Sequence, residues 1–254
     1  MTENLRGIGS LYVESKISRS DVLDEETYLK WYDEEHIPEI LATGGIKSAR
    51  RFKNVDPEAE KPYLALYPLA DLAFLGSEQF KNIKIKSDNL PETGIVYDLA
   101  DFDVRYDNLI QVYDPTEKGK GHTKSIISVQ IELKEGADAE DFDKWYREEH
   151  LLLLSKATGY LRSTRFKLAF ARTNAQSRAL KGLTSAAEEA PPQPPVWLTL
   201  HEFEVDSPDM LEIKRLTASP WTDRIYEGRK LGIFKIFKLL GEFGEKDWFQ
   251  DVEV

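Results

Sequence analysis

The chain has 254 residues, no cysteine, a formal net charge of −11 and an apolar fraction of 41%. Without cysteine there is no disulfide, no thiolate nucleophile and no thiolate metal site. The acidic balance, with basic residues dispersed, argues against nucleic acid and anionic membranes as partners.

Residues 10–17 have strand-like composition and predict a first strand. Asp24 is an N-cap for the helix that follows, with Glu25 and Glu26 in a first turn where the helix dipole favours negative charge. That helix carries Lys30-Trp31-Tyr32-Asp33-Glu34-Glu35-His36. Gly45 and a run ending in Arg51-Phe52-Lys53 predict a second strand, and 63–67 a third. A second helix is expected near 72–85 and a fourth strand at 104–113. Gly, Pro and Lys cluster at 114–124, which reads as a linker.

The series then restarts. A strand is predicted at 125–131, and Asp138 caps a helix carrying Lys144-Trp145-Tyr146-Arg147-Glu148-Glu149-His150. Gly159 and Arg165-Phe166-Lys167 follow, then a strand at 197–203, a helix near 207–218 and a strand at 231–239. Only this second series carries an insert, at 168–195, rich in Ala, Glu and Pro towards its end. Its composition predicts an exposed, partly extended loop, read either as a disordered excursion or as a lid over a pocket. No stretch approaches the ~18 uninterrupted apolar residues of a spanning helix. The start, Met1-Thr2-Glu3-Asn4-Leu5-Arg6, lacks a signal-like apolar run, so the expected address is cytoplasmic.

Aligned without a gap, 24–53 and 138–167 are identical at twelve of thirty positions, including the Trp-Tyr pair, both glutamates, the histidine, the glycine and the Arg-Phe-Lys triplet. This repeat predicts two domains of one fold, 1–113 and 125–254, each with the order β-α-β-β-α-β of a ferredoxin-like unit. The expected class is α+β, with the two halves packed sheet to sheet in one chain, because each sheet leaves one face uncovered by helices.

Residues four apart share a helix face, which aligns Tyr32 with His36 and Tyr146 with His150, and Trp31 with Glu35. Pro38 is expected to end or bend the first helix just beyond His36, whereas Leu151-Leu152-Leu153-Leu154 follow His150. A histidine beside carboxylates and under aromatics suits proton transfer, with Glu34 or Glu35 holding its tautomer. A structural role, satisfying a carbonyl or a carboxylate, fits the same residues. The aromatics Tyr28, Trp31, Tyr32, Trp145, Tyr146 and Trp221 read either as core or as the lining of a substrate pocket. The four histidines show no metal-ligand spacing, no Gly-x-Ser-x-Gly elbow is present, and no glycine run has the spacing of a phosphate loop.

The segment Tyr28 to Pro38, with Gly45 and Arg51-Phe52, resembles the EthD-like branch of the dimeric α/β-barrel superfamily. The second copy follows the pattern through His150 and departs at Leu152, where the family has proline. The resemblance implies a tandem fusion of two such domains, forming an eight-stranded barrel with a pocket between each sheet and its helices. It also implies chemistry without a cofactor or metal, with His36 as the acid–base residue and His150 as its counterpart. The expected function is therefore that of a decarboxylase, cyclase or isomerase acting on a small aromatic or polyketide-like molecule in secondary metabolism. A non-catalytic binding or stress-related oligomerising protein and a cofactor-free monooxygenase are the alternatives. A homodimer of the whole chain is compatible with either.

Overall fold

The computed structural model describes residues 5–184, 190–245 and 249. The strands are β1 (Gly9–Ile17), β2 (Ser48–Asn54), β3 (Tyr63–Leu69), β4 (Ala100–Tyr113), β5 (Ser125–Leu133), β6 (Tyr160–Arg172), β7 (Trp197–Phe203) and β8 (Arg229–Gly244). They form a closed antiparallel barrel in the order β1-β3-β2-β8-β5-β7-β6-β4. The chain divides into two compact units: the described residues of 1–108, 168–194 and 240–248, and those of 109–167, 195–239 and 249–254. The chain passes from one unit to the other within β4, β6 and β8.

In the first unit β1 lies between β3 and β4, with Val13 opposite both Ala65 and Val104, and β3 continues to β2. Helix α1 (Glu25–Trp31) starts at Asp24, whose carboxylate accepts from the Thr27 backbone N–H. The expected cap is thus present. Tyr28, Trp31, Tyr32, Ile37 and Ile40 bury against the sheet residues Leu11, Val13, Ala65 and Tyr67. The helix predicted near 72–85 is instead broken into a 3-10 turn at Leu72–Gly76 and the short α3 (Glu78–Lys81), followed later by α4 (Val96–Leu99). The break falls at Ser77, which is extended and caps α3 by accepting from the Phe80 N–H.

In the second unit β5 lies between β7 and β8, with Val129 opposite Thr199 and Phe234, and β7 continues to β6. Helix α5 (Ala139–Trp145) is capped by Asp138, which accepts from the Glu140 and Asp141 N–H groups. Helix α8 (Met210–Leu216) covers the expected segment, and α9 (Pro220–Glu227) follows it. The sequence signal for α9 is a serine N-cap with proline in the first turn, which Ser219-Pro220 supply.

The insert departs from the unstructured excursion that its composition suggests. Residues 168–172 extend β6, and Asn174–Leu180 form α7, closed by a reciprocal capping box between Thr173 and Gln176. Part of the insert, 185–189, lies outside the described residues. Among the described residues no helix is long and apolar enough to cross a membrane.

Candidate functional site

Both copies of the repeated heptad fold into the same irregularity. Tyr32–His36 and Tyr146–His150 are single π-helical turns, in which the N–H of Ile37 donates to the carbonyl of Tyr32 and that of Leu151 to the carbonyl of Tyr146. The chain then resumes as α2 (Ile37–Ala42) and α6 (Leu151–Leu154). Pro38 therefore neither ends the helix nor causes the irregularity, because the second copy makes the same turn with Leu152 in its place. The turn also changes which side chains meet. In an α-helix residues five apart point about 140° away from each other, at ~100° per residue. The wider i→i+5 turn brings them back onto one side. Trp31 accordingly stacks on His36 (centroids 4.7 Å, 18° between planes) and Trp145 on His150 (4.1 Å, 28°). Tyr32 and Tyr146 meet the same imidazoles edge-on, each at 5.2 Å.

The Arg-Phe-Lys triplet explains itself here. Arg51 lies over the Tyr32 ring at 5.4 Å and is paired with Asp33. Arg165 lies over Tyr146 at 4.0 Å and is held by Asp143 and Gln111. Each buried guanidinium thus seats the tyrosine that walls its histidine.

Neither Glu34 nor Glu35 is hydrogen-bonded to His36. Glu34 is exposed. Glu35 accepts from the Asn89 side chain at 2.7 Å, and its counterpart Glu149 accepts from Ser219 at 2.5 Å. The second glutamate of each copy therefore ties the π-turn to a following segment. Tyr28 is fully buried, bonded to Ser15, and Trp145 donates to Thr222, so both belong to the packed interior. The ring of Trp221 lies under Arg224 and outside the cavity lining.

Each unit has a cavity between sheet and helices, and the two differ in size. In the first unit Trp31, Tyr32 and His36 line a cavity of about 60 Å³, closed by Phe80, Ile83 and Val96 and by Arg172 and Lys181 from the insert. On its outer side His36, with Trp31, borders a recess of about 260 Å³ that also contains Glu35, Glu39, Lys84 and Lys86. In the second unit His150 lines a cavity of about 320 Å³ with Ile127, Val129, Leu154, His201, Tyr226 and Phe234. Trp145 and Tyr146 stand behind His150 and do not line it.

The residue opposite the repeated histidine was missed by motif reading. Tyr67 and His201 hold equivalent places on the third strand of each copy, in Tyr63-Leu64-Ala65-Leu66-Tyr67 and Trp197-Leu198-Thr199-Leu200-His201. Strand alternation puts positions 63, 65 and 67 on one face, so the signal was present. Tyr67 lies beside Tyr32. The His201 ring is 6.2 Å from that of His150, and its Nδ1 is 2.6 Å from Ser163 Oγ, which is 2.7 Å from the Tyr160 hydroxyl.

Burial and the positive charge of Lys181 push the His36 imidazole down to about 3; burial and Arg165 push His150 to about 3. Burial and His150 hold His201 well below its ordinary value. All three rings are neutral near pH 7. Nδ1 of His36 and of His150 is buried and has no hydrogen-bond partner among the described residues. A neutral imidazole can accept a proton at one nitrogen or donate N–H to a developing oxyanion from the other.

Solved structures share this fold of a closed eight-stranded antiparallel sheet with helices over it. An anthrone oxidase-like protein superimposes with a TM-score of 0.55 at 12% identity, covering 97% of this chain and 96% of that one. Monooxygenase-like proteins from Fusobacterium nucleatum (TM-score 0.56, 12% identity, 96% and 97% covered) and Lactobacillus acidophilus (0.54, 12%, 94% and 97%) do likewise. In sequence, core atranone cluster protein 1 of Stachybotrys chlorohalonatus is 28% identical over 184 residues, 72% of this chain and 76% of that protein. No family model matches the chain.

Proposed function

We propose that the chain is a cofactor-independent enzyme of secondary metabolism that removes a proton from a small aromatic or polyketide-like molecule. The observation that carries this reading is the cavity of about 320 Å³ in the second unit, mostly apolar and bordered by two neutral imidazoles, His150 and His201. That volume lies at the lower end of the range for small-molecule sites. His150 is the base, at Nε2, because its Nδ1 is buried. His201, its Nδ1 engaged by Ser163, presents its other nitrogen as donor to the enolate or phenolate oxygen that forms. The anion in turn raises the basicity of His150 on binding, because an opposite charge nearby favours the imidazolium. The equivalent place beside His36 is nearly filled, so the acid–base role that the resemblance gave His36 falls to His150. The sequence relative's name, that of a gene-cluster protein for a fungal metabolite, supports the substrate class.

The fate of the carbanion separates two readings. Protonation at another carbon gives an isomerase, and attack on a carbonyl of the same molecule gives a cyclase; a decarboxylase reaches the same carbanion by losing carbon dioxide in place of the proton and then protonates it. Reaction with dioxygen gives an oxygenase, and the names of the similar solved structures favour keeping that second reading. In architecture we read the chain as two ferredoxin-like, EthD-type halves in tandem, supported by the repeated π-turn.

Anthrone, a carbon acid with an exchangeable C10 methylene, serves as the probe. Under argon in D₂O, wild-type protein should accelerate C10 exchange, and in air, oxygen uptake distinguishes the oxygenase. His150→Gln should lower exchange by roughly 10²–10⁴-fold, the usual span of general acid–base help, and His36→Gln should leave it nearly unchanged. Exchange no faster than buffer, or insensitive to both His150 and His201, would refute the enzyme reading and leave a binding protein.

A further inference from the structure

We propose that the first unit holds a separate binding site for a carboxylate, built by the insert over the small cavity beside His36. Arg172 and Lys181 both line that cavity. Arg172 is only 8% exposed, and its Nε is buried without a hydrogen-bond partner. Among the described residues its guanidinium is joined to no carboxylate; it lies over the Tyr106 ring at 5.3 Å. Lys181 donates to the backbone carbonyls of Lys81 and Ile83 at 2.6 and 2.8 Å, and it too makes no ion pair among the described residues. A buried cation without a counter-charge, as Arg172 is among the described residues, is costly, and the partly buried Lys181 beside it adds a second like charge that Glu39 offsets only in part. A bound anion removes that cost, and a guanidinium edge with an ammonium beside it suits a carboxylate.

The rest of the cavity says which anion. Its lining is Leu11, Val13, Phe80, Ile83, Val96 and Phe102 with the Trp31 and Tyr97 rings, so the carboxylate carries an apolar group. At about 60 Å³ the cavity is small. That admits a carboxylate with one or two further carbons, or the head of a larger acid whose body displaces the roof. One side of the roof is tied through α7, where Arg178 pairs with Asp98 and donates to the Tyr97 carbonyl at 2.9 Å. This gives a role to the described part of an insert that the first copy lacks. It supplies both cations.

The test is ¹⁹F NMR of trifluoroacetate at pH 7 with unlabelled competitors. Wild-type protein should broaden the signal, acetate should restore it at millimolar concentration, and chloride should need at least tenfold more. Arg172→Gln and Lys181→Gln should each weaken binding by tenfold or more, while His150→Gln leaves it intact. Benzoate competing with the same dependence on Arg172 identifies the head of a larger acid, and acetate competing alone identifies a free small one. Lys181 faces Arg172, Glu39 and His36, and its ammonium is lowered to about 8 by burial and by Arg172. Binding should therefore fall as pH rises through about 8, and Lys181→Arg should abolish that fall. A folding defect would not reproduce this. No broadening by wild type, chloride equal to acetate, or unaltered binding in folded Arg172→Gln overturns the proposal.

Discussion

His150 offers a sharp test of how the fold treats its imidazoles. It is 7% exposed, and burial with Arg165 nearby lowers it to about 3, against about 6.5 in an unfolded chain. Between those values the unfolded state takes up a proton that the folded state does not. Stability is therefore complete above about pH 6.5 and falls as pH drops through this window, which ends near 3. At 1.36 kcal/mol per pKa unit, the loss from this one residue is about 0.8 kcal/mol at pH 6 and about 2 kcal/mol at pH 5. His201 adds in the same direction. His36, lowered to about 3 as well, also adds in the same direction. Carboxylates held low in the folded state, such as Asp98 and Asp143, cost stability only as pH falls below their ordinary value of about 3.8, beneath the pH 5 at which the measurement ends. Urea midpoints followed by tryptophan fluorescence at pH 7.5, 6 and 5 measure the effect. His150→Gln, which cannot take up the proton, should lose about 2 kcal/mol less than wild type between pH 7.5 and 5. Equal losses in the two proteins would show that the ring is not held neutral by the fold, and the proposed base would lose its physical footing.

Two further substitutions probe packing. Gly159 has φ +76°, and a Cβ there would lie 2.7 Å from Val205 Cγ1, whereas Gly136 (φ +78°) faces open space. Gly136→Ala should cost about 1 kcal/mol, the conformational penalty alone. Gly159→Ala should cost distinctly more in the same urea measurement, and equal costs would mean that Val205 moves freely. Val129→Phe projects a ring into the 320 Å³ cavity. It should abolish anthrone exchange while changing stability by less than about 1.5 kcal/mol, because the added volume enters empty space; a larger loss would mean that the cavity is not open to a ring.

Much of the strand layout was legible because strands announce themselves by composition and alternation. The expected 197–203 coincides with β7, and 10–17 falls within β1. Helix starts were legible at Asp24 and Asp138, while the same kind of cap at Ser219 was missed. The segment 72–85 misled because its apolar residues suit a helix, while Gly76-Ser77 breaks the backbone locally. The insert misled for the opposite reason. Its Pro- and Glu-rich end dominates the composition, yet Thr173 and Gln176 three residues apart carry a capping box that fixes α7. Cavity size was not legible at all. It depends on whether residues distant in sequence, such as Phe80 and Lys181, fill the space over the sheet.

The repeated heptad invites reading as two active sites, and its geometry argues otherwise. Everything the two copies share serves the turn itself. Trp stacks on His, Tyr walls it, Arg seats Tyr, and the second Glu ties the turn to a neighbouring segment. Those contacts hold equally in both units, so they cannot be what distinguishes a working site from a filled one. What differs lies opposite the shared histidine. Tyr67 with the insert's cations occupies that place in the first unit, and His201 with an open cavity occupies it in the second. A π-turn stacks on its own tryptophan a histidine that an ordinary helix would turn away from it. The turn thus supplies a neutral imidazole twice, and the opposing strand decides what it is used for. Exchanging Tyr67 for His alone should not create proton-transfer activity beside His36, because Phe80, Ile83 and Lys181 still occupy the space a substrate needs.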